Sequence, residues 1–416
     1  MSDSPAAFLD VAQSFLDQTW RARLDESGAR EALAMVQAYG LNDSLARVLA
    51  GRGVSAADAE RYLTPRLRDS MPDPSGFRDM DAAAERLADA ATRRETVAIF
   101  GDYDVDGACS AVILKSFLES FGAAVHLHIP DRIFEGYGPN SEAIRMLHGR
   151  GARLLVTVDC GTASHEPLAE AQRLGMDVVV LDHHQAPERL PVVSALVNPN
   201  RQDDLSGQGT LCAAGVVFMT LVATNRVLRR RGIGEADLIA SLDLVALATV
   251  ADVVPIRGLN RAFVAQGLKV MRERGRPGLA ALLDISRLDR PPEAWHLGFL
   301  VGPRINAGGR IGDAALGARL LGTSDPAEAR SIAETLDRLN RERQAVEQAM
   351  VAEAEAQALA AVGLAEDQGS VLVTADPGWH PGVVGLVASR LKERFRRPAF
   401  AIALDEAGQG TGSGRS

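Results

Sequence analysis

Five short apolar runs recur between residues 96 and 198: "TVAIF" (96–100), "AVHLHI" (124–129), "RLLVTV" (153–158), "DVVVL" (177–181) and "SALVN" (194–198). They are rich in β-branched residues, and helical stretches separate them. Near-continuous apolar strands set between helices imply a parallel sheet covered on both faces. The pattern therefore predicts an α/β domain, and in such sheets ligands gather at the carboxyl ends of the strands.

Those ends carry chemistry. "TVAIF" runs into "GDYDVDG", with Asp102, Asp104 and Asp106 at every second position. An extended backbone would project all three carboxylates to one side. "RLLVTV" runs into "DCG" with Asp159, and "DVVVL" into "DHH" with Asp182, His183 and His184. Asp252, in "LATVADVVP", follows an apolar run that reads equally as helix or strand. Clustered carboxylates raise one another's pKa and cannot all stay ionised at neutral pH without compensation, which divalent metals supply. Carboxylates mixed with imidazole suit Mn²⁺ better than Mg²⁺ or Ca²⁺. A pair of metals about 3.5–4 Å apart is the usual device for hydrolysing phosphate esters. Taken singly, each motif has a plainer reading. A strand-end Asp is commonly a helix cap, and "DxDxDG" resembles an EF-hand start, but the twelfth position here is Ile113 and not Glu. Three such clusters at successive strand ends favour the metal site.

The rest of the chain bounds the setting. At 416 residues it suits two or three domains. Residues 1–80 read as a helical N-terminal region, 81–322 as the metal-binding catalytic domain, 323–362 as a connecting helix and 363–416 as part of a second α/β lobe. In that lobe "SVLVTA" (370–375) and "PAFAIAL" (398–404) read as strands, "GVVGLVASRL" as a helix and "GTGSGRS" as a loop on which the chain stops, as a truncated domain would. No apolar run approaches the roughly 20 residues that cross a bilayer, and "MSDSPAAFLDVAQ" carries acids where a signal peptide carries bases. Cys109, Cys160 and Cys212 lack metal or disulfide spacing, which suggests a reducing cytoplasm. The net charge of −9 argues against a generally adhesive nucleic-acid binder while leaving room for a local basic groove.

"GDYDVDG", "VTVDCG", "LDHH" and "ATVADVVP", in this order, resemble the four metal motifs of the DHH phosphoesterase superfamily. "LARVLAGRGV", "DMDAAAERL", "IPDRIFEGYGPN", "LCAAGVVF", "GPRINAGGR", "GWHPGVVGLVASRL" and "GSGRS" narrow the resemblance to RecJ-type single-strand-specific exonucleases, from about residue 20 to the end. The resemblance implies a parallel-sheet DHH domain plus a smaller, incomplete α/β lobe of DHHA1 type, joined by a long helix. It implies two Mn²⁺ ions, with Mg²⁺ as the alternative. Asp104 would bind one, Asp106 the other, and Asp159 would bridge them; His183 and Asp252 would complete the second site. His184 would face the scissile phosphate, and Asp102 would be an outer ligand or an orienting acceptor. Arg304, Asn306, Arg310, Ser413 and Arg415 match motifs that meet the substrate's phosphate in the family.

The implied reaction is 5′-to-3′ hydrolysis of single-stranded DNA to mononucleotides in repair and recombination, with a single-strand-binding protein and a helicase as partners. The alternatives are a DHH enzyme acting on a small substrate (an oligoribonuclease, a cyclic-dinucleotide phosphodiesterase or a pyrophosphatase) and a non-catalytic nucleic-acid-binding scaffold. Two departures stand out. Gly308 replaces the alanine usual in "NAGGR", an expected gain of loop flexibility. The family's glycine-histidine motif and OB-fold are missing from these residues, which implies a weaker grip on a strand.

Overall fold

The computed structural model describes residues 7–131, 135–364 and 370–416, with side chains left undescribed at 361–364. Part of "IPDRIFEGYGPN" and the first six residues thus lie outside the described residues. The chain forms two compact units, Met1–Met71 and Pro72–Ser416. The first ends before the boundary expected near residue 80. Its helices α1 (Glu26–Tyr39) and α2 (Asp43–Gly51) start at Asp25 and Asn42, whose side chains accept from the Gly28 and Ser44 amides. They enclose Ala32, Met35, Ala46 and Leu49.

The second unit opens with α3 (Met80–Arg93), followed by β1 (Thr96–Gly101), α4 (Val105–Ser120), β2 (Ala124–His128), α5 (Ser141–Gly149), β3 (Leu154–Val158), α6 (His165–Arg173), β4 (Asp177–Leu181) and β5 (Ala195–Val197). The strands form one parallel sheet in the order β2-β1-β3-β4-β5. Every residue of β3 is buried, as a strand covered on both faces requires. After the sheet come α7 (Ala213–Arg230), α8 (Leu242–Ala251) and α9 (Gly258–Arg272). Asp252 closes α8 as its C-cap, so the ambiguous run before it is a helix.

The alternating carboxylates of "GDYDVDG" do not continue β1. The strand stops at Gly101, and Asp104 caps α4, accepting from the amides of Asp106 (2.9 Å) and Gly107 (3.1 Å). This brings the first turn of α4 down onto the strand end: a Cβ on Gly107 would lie 2.4 Å from the Asp102 carbonyl oxygen. Gly→Ala inside a helix normally stabilises by roughly 0.5–1 kcal/mol. Here Gly107→Ala is expected to destabilise by about 1–3 kcal/mol through overpacking. Urea unfolding of the metal-free protein measures the sign.

A helical segment leads through α10 (Gly302–Ile311) to the long helix α11 (Pro326–Leu364). Asp325 caps α11 by accepting from the Ala327 amide (2.8 Å), with Pro326 in the first turn. The second lobe holds β6 (Leu372–Asp376), α12 (Val384–Phe395), β7 (Ala399–Leu404) and β8 (Gly410–Arg415). Its core packs Leu372, Val387, Leu391 and Ala401 against Met350 and Ala354 of α11. "GTGSGRS", expected as a loop, is strand β8, antiparallel to β7, while β6 and β7 run parallel. Glycine-rich sequence has little intrinsic strand preference; the ladder with β7 imposes the conformation. Gly308 also sits in a helix, α10, and not in a flexible loop. A Cβ there would lie 2.9 Å from the Asp313 carbonyl oxygen, so alanine would not fit without a shift.

Candidate metal centre

The strand ends of the large sheet bring carboxylates and imidazoles together in three overlapping groups: Asp102, Asp104 and Asp159; Asp106, His183 and Asp252; and Asp159, His183 and His184. Within each group the potential ligand atoms lie within 4.8 Å of one another. Asp159 stands in two of the three. It follows β3 in a left-handed backbone conformation (φ 61°), uncommon for a residue other than glycine. Its Oδ1 is buried without a hydrogen bond, although His183 Nε2 lies 3.2 Å away. A buried carboxylate oxygen without a hydrogen-bonded partner is costly in a finished site, and it is the signature of a position shaped for a cation.

Asp106 is held differently. Its oxygens accept from the amides of Ala213 (2.6 Å) and Ala214 (2.8 Å) at the N-terminus of α7. The positive end of that helix offsets part of the carboxylate's buried charge. Oδ1 also meets the Ser110 hydroxyl at 3.5 Å, which leaves Oδ2 with a lone pair for a ligand. His183 spans the centre, with Nε2 3.7 Å from Asp106 and Nδ1 3.8 Å from Asp252.

His184 faces outward. Its Nδ1 is 2.8 Å from Asp182 Oδ1, and its Nε2 is 3.3 Å from the Tyr137 hydroxyl. Asp182 is almost fully buried and also accepts from the amides of His183, His184 and Thr162. Burial alone would raise its pKa, but the His184 hydrogen bond and charge, with the Thr162 contact, outweigh burial and hold it well below the usual carboxylate range. In return the hydrogen bond that His184 donates to Asp182 lifts His184 to about 9, against the opposing effect of its own burial. In the metal-free protein the imidazole is therefore charged at neutral pH. Asp182 and Tyr137 had no role assigned from sequence. The signal for Asp182 was its place one residue before the histidine pair.

The remaining acids point the other way. Burial pushes Asp106 up to about 7, reinforced by Asp252 and Asp104 and opposed by His183. Burial, then the neighbouring Asp106, Asp104 and Asp102, drives Asp159 well above its ordinary value. Asp252 is raised chiefly by burial. In a metal-free protein these groups bind protons that the unfolded chain has already lost near pH 4. Stability therefore falls as pH rises from about 4 to about 7. Metal-free protein is expected to melt higher at pH 5.5 than at pH 7.5, and saturating Mn²⁺ should reverse the order, because metal binding displaces those protons. Thermal scans with and without EDTA check both signs.

All five phosphate candidates hold contacts inside the protein. Arg304 Nε lies 2.9 Å from Asp337 of α11 and its Nη1 donates to the Leu300 carbonyl. Asn306 Oδ1 accepts from the Val105 amide (3.0 Å), tying α10 to the first acidic loop. Arg310 Nη1 donates to the Gly382 carbonyl (3.1 Å), just before α12. Arg415 donates to Ser413 Oγ (2.8 Å), and both side chains stand beside Gly385 in the first turn of α12. Arg310, Ser413 and Arg415 thus gather at one helix N-terminus, a favourable place for a phosphate, whereas Arg304 and Asn306 brace α10. Among the described residues no helix is long and apolar enough to cross a membrane.

Comparison with known proteins fits this geometry. The family model "DHH family, N-terminal domain" matches residues 96–249, the sheet and most of its acidic rim. The single-stranded-DNA-specific exonuclease RecJ of Salmonella typhimurium strain LT2 is 40% identical over 89% of this chain, which spans 65% of that relative's length. A crystal structure of exonuclease RecJ bound to manganese is similar with a TM-score of 0.71 at 36% identity, covering 82% of each chain. RecJ from Thermus thermophilus in complex with Mn²⁺ gives a TM-score of 0.76 at 32% identity, over 91% of this chain and 53% of that one. Since it is 36% identical to a RecJ over 82% of each chain and matches the DHH model over its sheet, the chain belongs to the RecJ family of DHH proteins.

Proposed function

We propose that this chain is a metal-dependent exonuclease hydrolysing single-stranded DNA from the 5′ end to mononucleotides, in DNA repair and recombination. The observation that carries the reading is Asp159, a buried carboxylate with an oxygen lacking a hydrogen bond, shared by two groups of acids and imidazoles. In this reading Asp104 and Asp159, with Asp102 beside them, hold one cation, and Asp106, Asp159, His183 and Asp252 the other. The mixed donor set suits Mn²⁺, with Mg²⁺ as the alternative. When bound, such a pair activates water and neutralises charge on the phosphate.

The protein's own groups supply the rest. Water attacks phosphorus, the bond to the 3′ oxygen breaks, and that oxygen takes a proton. His184, charged through Asp182, presents Nε2–H on the rim to stabilise the phosphate and donate that proton. Cleavage on this side leaves a new 5′-phosphate on the shortened strand, so a 5′-phosphate pocket serves every cycle. Arg310, Ser413 and Arg415 at the start of α12 are proposed as that pocket. Residues 81–322 then carry the metals and Arg310, 363–416 the rest of the phosphate grip, and the helix of 323–362 sets their spacing. A cytoplasmic location and partnership with a single-strand-binding protein and a helicase belong to the same proposal.

The test is Mn²⁺-dependent digestion of strands labelled at either end, with EDTA as control. A 5′ label should appear early as mononucleotide; early release of a 3′ label would overturn the polarity. Within this test, Arg310→Ala and Arg415→Ala are each expected to lower the preference for 5′-phosphorylated over 5′-hydroxyl strands by about tenfold to a hundredfold, from roughly 1.5–3 kcal/mol per charge-assisted contact. The ratio of kcat/KM on the two strands at fixed salt measures it.

A further inference from the structure

Two buried side-chain atoms outside the metal centre, His296 Nε2 and Ser286 Oγ, have no hydrogen-bond partner among the described residues. Both residues line one cavity of about 520 Å³, a size usual for a small-molecule site. It lies between the loop after the helix Pro277–Ile285 and the helical segment that leads into α10. His296 is fully buried. Its Nδ1 accepts from the Glu293 amide (2.8 Å), part of a capping box that starts the short helix Ala294–His296. A ring nitrogen that accepts an N–H carries no proton, so the proton is on Nε2, a donor. A buried donor left unpaired is costly in a finished structure, and an acceptor in the cavity would satisfy it.

The rim sets the charge of that acceptor. Arg287 and Arg290 line the cavity, are exposed, and have no ion pair among the described residues. Arg290 lies over the Trp295 ring, 5.7 Å from its centroid. Neighbouring acids are engaged elsewhere: Asp284 with Arg274, and Glu293 with the Trp295 Nε1–H. Asp289 is the one acid lining the cavity, and it is exposed, so water screens its repulsion. Two guanidiniums against one carboxylate leave the cavity positive. It is also separate from the metal centre. His296 and Leu300, four residues apart, share the face that lines it. Gly298 and Gly302 present the other face to Val250 and Ala251, just before Asp252.

We propose that this cavity is a second anion site, built for a phosphate group, free or as a monoester. His296 Nε2 and Ser286 Oγ hold phosphate oxygens at the buried end, and Arg287 and Arg290 neutralise the charge at the rim. The donors come from a ring, a hydroxyl and two guanidinium forks on two segments of chain. A tetrahedral anion offers oxygens in several directions, which suits that set better than the two coplanar oxygens of a carboxylate. Trp295, half exposed beside His296 with ring centroids 3.9 Å apart, offers a surface to an aromatic group carried by the ester. The inference goes beyond the exonuclease reading and does not depend on it.

The test titrates the full chain in EDTA with inorganic phosphate and, separately, with thymidine 5′-monophosphate. Calorimetry and tryptophan emission are the readouts, and Arg415→Ala is the background, so that the pocket proposed at α12 contributes little. Both probes should bind with Kd below about 1 mM. Trp295→Phe should remove the change in emission while phosphate still binds. His296→Asn keeps an acceptor for the Glu293 amide but removes the Nε2 donor. It and Arg287→Gln should each weaken phosphate by about tenfold to a hundredfold, the worth of one charge-assisted contact. Asp289→Asn should tighten it by removing the one opposing charge. Tighter binding of the monophosphate than of phosphate identifies an aromatic ester as the occupant, and equal binding identifies free phosphate; both support the site. Absence of binding by either probe, affinity unmoved in both His296→Asn and Arg287→Gln, or weaker binding in Asp289→Asn refutes it.

Discussion

Asp159→Asn is expected to abolish Mn²⁺-dependent hydrolysis, with a loss of at least about a thousandfold, equivalent to roughly 4 kcal/mol of barrier. The same substitution should raise the melting temperature of the metal-free protein. Both follow from one position. Asp159 is buried among Asp102, Asp104, Asp106 and Asp182, whose charges push its pKa up after burial has already done so. The near-isosteric amide removes that repulsion from the empty site, yet it cannot hold two cations. Mn²⁺ should therefore stabilise wild type and leave the variant almost unmoved. Three readings (turnover, metal-free melting and the Mn²⁺-induced shift) separate this from simple misfolding, which would lower the metal-free melting point. Near wild-type turnover in Mn²⁺ would end the assignment of Asp159 as a shared ligand.

His184→Ala should cost about 10²–10⁴ in kcat while leaving Mn²⁺ affinity nearly intact. His184 belongs to one of the candidate ligand groups, so the outcome is informative. Its Nδ1 is committed to Asp182 and its Nε2 is directed to the exposed rim at Tyr137, which suits an acid better than a ligand. A parallel fall in metal affinity, read by titration calorimetry, would make it a ligand instead. Asp182→Asn supplies a second readout. Because the Asp182 hydrogen bond is what lifts His184 to about 9, its removal should move the alkaline limb of the pH–rate profile to lower pH. A purely structural role for Asp182 would reduce activity without that displacement.

Strands β1, β3, β4 and β5 are legible because they are almost wholly buried and their apolar residues announce it; β2, at the sheet edge, is only half-buried and is legible from its β-branched and apolar residues. Elsewhere, period and composition misled for physical reasons. Asp102, Asp104 and Asp106 alternate like strand residues, but Asp104 is a helix cap and the chain coils immediately after it. The run before Asp252 is uniformly apolar, because α8 is buried almost all round, and such a helix shows no amphipathic period. Strand β8 is mostly glycine and serine; only its ladder with β7 makes it a strand. The grip of α7 on Asp106 escaped notice because backbone amides carry no side-chain label, although "LCAAGVVF" marked the place. Asp182 looks like its neighbours in sequence, and only its contacts show that it orients His184.

Helix α10 is tied by Asn306 to the amide of Val105, by Arg304 to Asp337 of α11, and by Arg310 to the carbonyl of Gly382 in the other lobe. A stiff lever anchored in this way transmits motion. Parting the lobes to let a product leave would turn the lever and drag on the loop that carries Asp104 and Asp106. If the chain works as proposed, opening and cation retention would be linked mechanically, so that the step freeing a nucleotide would also be the step most exposed to loss of the metals.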